Sequence, residues 1–227
     1  MIPLKDDNPT SGRPIVTYFL IGMCIVIFFI QLGSESYRTG QIFYSYGLIP
    51  SVLMGHDQLP MNLYTIPAYM TIFSSMFMHG GWIHLIGNMW YMKIFADNIE
   101  DNLGSRNFII FYILCGIGAA MAQVLMDTHS QIPMVGASGA IGGVLGAYLI
   151  NHPNAKVLVL IPYIIITIIK IRALYVLGFW FILQFISSGG GVAYAAHIGG
   201  FVCGMVLILF FNKKVRKKTK IIKGPWS

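Results

Sequence analysis

The chain has 227 residues, 56% of them hydrophobic and only 10% charged, against about 25% charged in an ordinary soluble domain. Too few polar groups remain to cover a water-facing surface, so a purely soluble fold is excluded and a bilayer is the expected solvent. The formal net charge of +7 does not indicate nucleic acid, because seven of the 15 Lys and Arg fall between Lys213 and Lys223, behind the last apolar run. A basic tail in that place suits anionic lipid on the cytoplasmic side.

Residues 1–14 carry Lys5 and Arg13 and are expected to form a cytoplasmic N-terminus. Apolar runs follow at Ile15–Leu32, Trp82–Ala96, Phe108–Leu125, Ala137–Ile150, Ala173–Ile186 and Tyr194–Phe211. The first is long and lacks a small-residue cleavage site after it, so it reads as a retained span. Several fall short of the ~20 residues of an ordinary span, which implies locally thin membrane or helix ends buried in protein. Gly33–Pro67 shows no clear period but keeps recurring apolar residues, which suit the membrane interface. Ala68–Met78 reads as a short helix leading into the second span.

Loop charge sets the count. Arg106, Lys156, Lys170 and Arg172 flank connections that six spans place on one side, together with both termini. The connections at 126–136 and 187–193 contain no Lys or Arg, and Gly33–Pro67 contains only Arg38. By the positive-inside rule the basic side is cytoplasmic. Val157–Ile169, apolar, β-branched and interrupted by Pro162, breaks this pattern if counted as a span, and reads instead as an interfacial or re-entrant segment. The expected architecture is all-α: a multi-pass bundle of six transmembrane helices over residues 15–211, with the basic tail at 212–227. Cys24, Cys115 and Cys203 all lie in apolar runs, and their odd number argues against a disulfide framework.

With six spans, the second, fourth and sixth helices begin at the external face. Ser138 lies near the start of the fourth, His197 near the start of the sixth, and His84 and Asn88 near the start of the second. All four lie one or two turns below that face, on the order of 5–10 Å at 1.5 Å per residue. A lone serine in a glycine-rich span is most often a packing residue. A lone histidine is harder to dismiss, because intramembrane ionisable groups are costly. Ser138, Gly142 and Gly146 repeat every four residues, and His197, Gly200 and Gly204 form a similar face. If the two faces pack, Ser138 and His197 meet at the top of the contact.

This inventory suits acyl transfer. Ser138 is the candidate nucleophile and His197 the candidate base. No carboxylate lies at that depth, so a dyad is expected rather than a triad. Asn88, His84 and the Ser138 backbone N–H are candidate oxyanion donors. There is no H-E-x-x-H and no intramembrane aspartate pair, and His79 and His84, five apart, lie on different helical faces. No metal is expected. A channel or transporter would need polar groups continuing downward, where Val144, Leu145, Val206 and Leu207 stand instead.

The stretches "MIPLKDDNP", "HGGWIHLIGNMWYM", "IEDNLGS", "GASGAIGG" and "AHIGGFVCG" resemble the motifs of the rhomboid family of intramembrane serine proteases, and the likeness runs from Met1 to about Phe211. The resemblance implies Ser138 as nucleophile, His197 as general base, and His84 and Asn88 as oxyanion stabilisers. It implies supporting roles for Gly136, Gly142 and Gly200, a place for His79 at the mouth of the site, and a structural role for Glu100. It further implies cleavage of single-pass transmembrane proteins without a cofactor, in a cell membrane (plasma or inner), with lipid as the other partner. Substrates would pass the fifth helix and the loop Ser187–Ala193. A non-catalytic binder of transmembrane clients is the alternative. Two departures stand out. Gly142 occupies the place where some members carry an aromatic ring against the imidazole, and no Arg motif is evident around Arg38.

Overall fold

The chain opens with a strand, β1 (Ile2–Asp6), inside the segment expected to form a cytoplasmic N-terminus. The computed structural model describes residues 1–162, 166–186 and 193–211; the basic tail and all but the last residue of the loop at 187–193 lie outside them. Helix α1 (Ile15–Gly33) follows, then three short helices, α2 (Glu35–Arg38), α3 (Gln41–Tyr46) and α4 (Pro50–Leu53), so the unperiodic stretch is folded in pieces. A broken helical segment over Ala68–Phe77, with α5 (Thr71–Ser74) at its centre, leads to α6 (Trp82–Leu103). Then come α7 (Ser105–Met126), α8 (Ser138–Asn151), strands β2 (Lys156–Pro162) and β3 (Ile166–Arg172), α9 (Ala173–Ile186) and α10 (Tyr194–Phe211). Among the described helices α1, α7 and α10 are long and apolar enough to cross a membrane, and α8 and α9 are shorter apolar helices.

The all-α expectation needs one correction. The described residues of Val157–Ile169 are not helical: 157–162 lie in β2 and 166–169 in β3, which pair antiparallel, registered Lys156 to Arg172 and Val159 to Ile169. β1 pairs antiparallel on the other side of β2, Ile2 opposite Leu160 and Asp6 opposite Val157. The reason is local. β-branched Val and Ile suit a pleated surface, and alternation buries Val157 and Val159 completely while Leu158 between them is half-buried. Trp90 of α6 donates to the Pro3 carbonyl at 2.6 Å, and the Tyr148 hydroxyl of α8 donates to Asp6 at 2.5 Å. The N-terminus is thereby fastened to two helices.

Two buried polar connections fasten α1, one to α6 and one to the loop that precedes it. Glu100, near the end of α6 and 2% exposed, accepts from the backbone N–H groups of Val16 and Thr17 at 3.0 and 2.8 Å, from the Thr17 hydroxyl at 2.8 Å and from Ser105 at 2.6 Å. A carboxylate thus closes the first turn of α1, where helix N–H groups lack internal partners and the helix dipole favours negative charge. At the other end of α1, the Gln31 amide reads the backbone of His79, donating to its carbonyl and accepting from its N–H, both at 3.2 Å. Gly104, with φ 75°, then reverses the chain in one residue so that α7 starts at Ser105 and returns beside α6.

α10 packs against α7, α8 and α9. At its glycines the contact with α8 is backbone on backbone. A Cβ added at Gly200 would lie 2.0 Å from the Gly139 carbonyl oxygen, one at Gly204 1.9 Å from that of Gly143, and one at Gly146 2.1 Å from that of Phe201. The expected glycine faces do meet, with Gly139 and Gly143 added to the α8 side. Phe95, Phe108, Tyr112 and Tyr148 fill the core nearer the sheet. Cys24, Cys115 and Cys203 are free thiols.

Candidate active site

Ser138 is the first residue of α8, and His197 lies in the first turn of α10. Their side chains meet: His197 Nε2 is 2.8 Å from Ser138 Oγ. Both line a cavity of about 710 Å³, with His84 and Asn88 from α6, Gln123 from α7 and Trp180 from α9. The four residues placed at one depth by topology and spacing are therefore brought to one cavity.

The approach to Ser138 depends on Gly136. Its φ of 128° is rarely adopted by other residues, and a Cβ there would lie 2.6 Å from His84 Nε2 and 3.5 Å from Ser138 Oγ. Its N–H donates to the Ser75 carbonyl at 2.8 Å, which anchors the turn before α8. His84 is thereby held against the serine turn. Its Nδ1 faces the Gly80 N–H at 3.4 Å. A ring nitrogen that accepts is unprotonated, so the proton resides on Nε2, the atom facing Gly136. Asn88, also buried, leaves its Nδ2 without a hydrogen-bond partner. Buried donors are nearly always paired, and this one belongs to a residue of the cavity wall.

His79 is placed differently from the expectation. It is 0% exposed, does not line the cavity, and packs edge-on behind His84 with ring centroids 5.1 Å apart. Gln31 grips its backbone on both sides. Gly200 contacts the Gly139 backbone rather than a reacting side chain. Gly142 faces the backbone of α10, its added Cβ 3.0 Å from the His197 carbonyl and 3.7 Å from the ring of Trp180.

The support missing from α8 comes from α9. Gln184 Oε1 is 2.7 Å from His197 Nδ1, and Trp180 lies over the imidazole with ring centroids 5.9 Å apart. Neither residue stood out in the sequence. The available signal was one amide inside the apolar run "FWFILQF". Gln123 of α7 carries a similar signal, and it accepts from the Ala196 N–H at 3.2 Å to fix the start of α10.

Apolar helices enclosing a hydroxyl–imidazole pair define a helical membrane protein with a polar site inside the bundle. The rhomboid domain family matches residues 67–214. The chain belongs to the rhomboid family. It is 29% identical over 197 residues to the rhomboid protease GluP of Bacillus subtilis (strain 168), covering 86% of this chain and 34% of that protein. It is 32% identical over 143 residues to RHOMBOID-like protein 5 of Arabidopsis thaliana, covering 60% of this chain and 42% of that one. Rhomboid-like protease 3 of Toxoplasma gondii is 25% identical over 149 residues, at 66% and 54% coverage. The chain spans about a third to a half of the length of these relatives.

Proposed function

We propose that the protein is an intramembrane serine endopeptidase that cleaves transmembrane-anchored proteins through a Ser138–His197 dyad and an acyl-enzyme. The observation that carries this reading is the 2.8 Å approach of His197 Nε2 to Ser138 Oγ in a cavity that also holds the unpaired Asn88 amide.

His197 Nε2 takes the proton as Ser138 Oγ attacks the scissile carbonyl. The oxyanion then meets Asn88 Nδ2, His84 Nε2–H and the backbone N–H of Ser138. That N–H, in the first turn of α8, has no acceptor within its own helix. One such donor is worth about 2.7–4 kcal/mol of barrier in a soluble serine protease. The imidazolium returns its proton to the leaving amine as the tetrahedral species collapses to the acyl-enzyme. A water molecule, deprotonated by the same imidazole, releases the acyl group. No step needs a metal or cofactor.

In this reading residues 15–211 form six spans, α1, α6, α7, α8, α9 and α10. Both termini are cytoplasmic, and the site opens toward the external face of a cell membrane. The strands and the basic tail at 212–227 lie on the cytoplasmic side, the tail against anionic lipid. Substrates are single-pass membrane proteins that reach the cavity past α9 and the loop before α10.

Ser138→Ala and His197→Ala should each abolish cleavage of a membrane-spanning reporter while the protein remains folded. Cleavage at the unaltered rate by either variant refutes the dyad. A fluorophosphonate probe should label Ser138. A folded, unlabelled protein that still captures transmembrane clients would be a non-catalytic binder instead.

A further inference from the structure

Gln184 has two polar partners, and together they determine which way its amide faces. Its Nε2 lies 2.8 Å from the backbone carbonyl of Trp180, one turn earlier in α9, and its Oε1 lies 2.7 Å from His197 Nδ1. A carbonyl oxygen only accepts, so the amide nitrogen must be the group facing Trp180. The amide oxygen is then left for the imidazole, and an oxygen without a proton accepts. His197 Nδ1 therefore carries the ring proton. Nε2 is left with its lone pair, and that is the atom 2.8 Å from Ser138 Oγ. One amide on α9 thus selects the tautomer that can act as a base toward the serine.

The same helix restrains the ring in a second way. Trp180 covers the imidazole at a 37° tilt and stacks on Phe201 of α10, 6.0 Å between centroids. Phe181 of α9 stacks on the same Phe201 at 4.6 Å. Trp180 and Gln184 are four residues apart and lie on one face of α9.

We infer that Gln184 is the positioning residue of the dyad and that α9, through Gln184 and Trp180, arms His197 only while it lies against α8 and α10. This rests on the proteolytic reading above and extends it to the control of the same site. A helix that leaves the bundle to admit a substrate removes the orienting amide as it leaves. Hydrolysis then requires α9 to return.

The test compares Gln184→Leu with Gln184→Glu in the full chain, reconstituted in lipid with a transmembrane reporter. Leucine keeps much of the volume but has no acceptor. Glutamate offers an oxygen to Nδ1–H whether or not it is protonated. The expected result for Gln184→Leu is a kcat lower by on the order of 10- to 100-fold, the usual cost of losing an orienting partner, with KM little changed. Gln184→Glu should retain most of the rate. A packing role predicts the reverse order, since the apolar residue suits the bundle and the carboxyl group does not. Gln184→Met, also without an acceptor, makes the same prediction if the leucine variant fails to accumulate. Leucine or methionine at the full rate, or a glutamate variant as slow as they are, overturns the inference. Ser138→Ala is run alongside. If it still cleaves, the proteolytic reading fails. If it is inactive while Gln184→Leu is unimpaired, only the role of Gln184 fails.

Discussion

Gly200→Ala is a direct way to separate packing from chemistry. Gly200 lies one turn after His197 on α10, and Gly139 follows Ser138 on α8. A Cβ at position 200 would lie 2.0 Å from the Gly139 carbonyl oxygen, about 1.4 Å short of the 3.4 Å at which ordinary contact begins. The obstacle is backbone on both sides, so no side chain can rotate away. The helices must separate or tilt, by about 1 Å after partial sharing of the strain. Because the wedge is placed one turn from the dyad, the 2.8 Å between Nε2 and Oγ opens toward 4 Å and the hydrogen bond is lost. Overpacking of this kind costs about 1–3 kcal/mol, which a whole bundle can survive. A 1 Å misplacement of reacting groups costs on the order of 10²-fold in rate. The expected result is a folded protein with a modestly lower unfolding temperature and on the order of 10²-fold slower reporter cleavage. Gly178→Ala serves as the control, since a Cβ there meets nothing within 4 Å. If Gly200→Ala cleaves at the full rate, the glycine contact does not set the dyad distance.

Three further expectations follow from other contacts. Asn88→Ala should lower kcat by on the order of 10² while leaving KM nearly unchanged, because it removes one oxyanion donor among several. An unaltered kcat would take Asn88 out of the oxyanion site. Glu100→Ala leaves the buried N–H groups of Val16 and Thr17 without their acceptor, a loss of about 1–3 kcal/mol for a buried unsatisfied group. Thermal unfolding should register it while cleavage per folded molecule stays constant. Burial, reinforced by the Asp97 carboxylate and opposed by the Tyr148 hydroxyl, lifts Asp6 to about 6, whereas in an unfolded chain it titrates near ~3.9. Between those values the folded chain holds a proton that the unfolded chain has released, so stability falls as pH rises from about 4 to 6 and levels off above. Corrected for the intrinsic rise of exchange with pH, the protection of the β1 amides should fall across that window, and Asp6→Asn should remove that fall.

Much of this arrangement was legible because the bilayer allows few solutions. Apolar run length located the helices α1, α6, α7, α8, α9 and α10, of which α1, α7 and α10 are long and apolar enough to cross a membrane, and Ser138, His197, His84 and Asn88 do line one cavity. Three things were hidden, each for a physical reason. β1 escaped because its pairing with β2 is non-local: no local pattern in "MIPLKDD" announces a partner more than 150 residues away. The β2–β3 pair is local, but its β-branched apolar run suits a membrane interface as well as a strand. Glu100 was read as structural, but its partners are backbone N–H groups at the start of α1, which have no residue type to recognise. Gln184 was overlooked because one amide in an apolar helix looks like tolerated polarity. In the bundle its oxygen and its nitrogen both find protein partners. Gln31 and Gln184 engage both amide atoms and Gln123 its oxygen, and each of them ties its helix to another segment. An isolated amide within a span therefore marks a contact between that span and its neighbours.

Gly142 explains why the third helix is needed at all. On α8, Gly142 faces the His197 backbone, and a Cβ there would be 3.0 Å from the His197 carbonyl oxygen and 3.7 Å from the ring of Trp180, so even an alanine would need its neighbours to give by a few tenths of an ångström. With glycine in that place, α8 itself offers no ring to the imidazole. The glycine contact sets the Ser138–His197 distance. Support for the ring must then arrive from outside the α8–α10 pair. α9 borders both helices and supplies the aromatic face and the hydrogen-bond acceptor together. Distance in the dyad is governed by one helix pair, and tautomer and ring plane by the neighbouring helix. A substitution that disturbs α9 should therefore lower the rate without altering the α8–α10 contact, whereas Gly200→Ala should alter the contact itself.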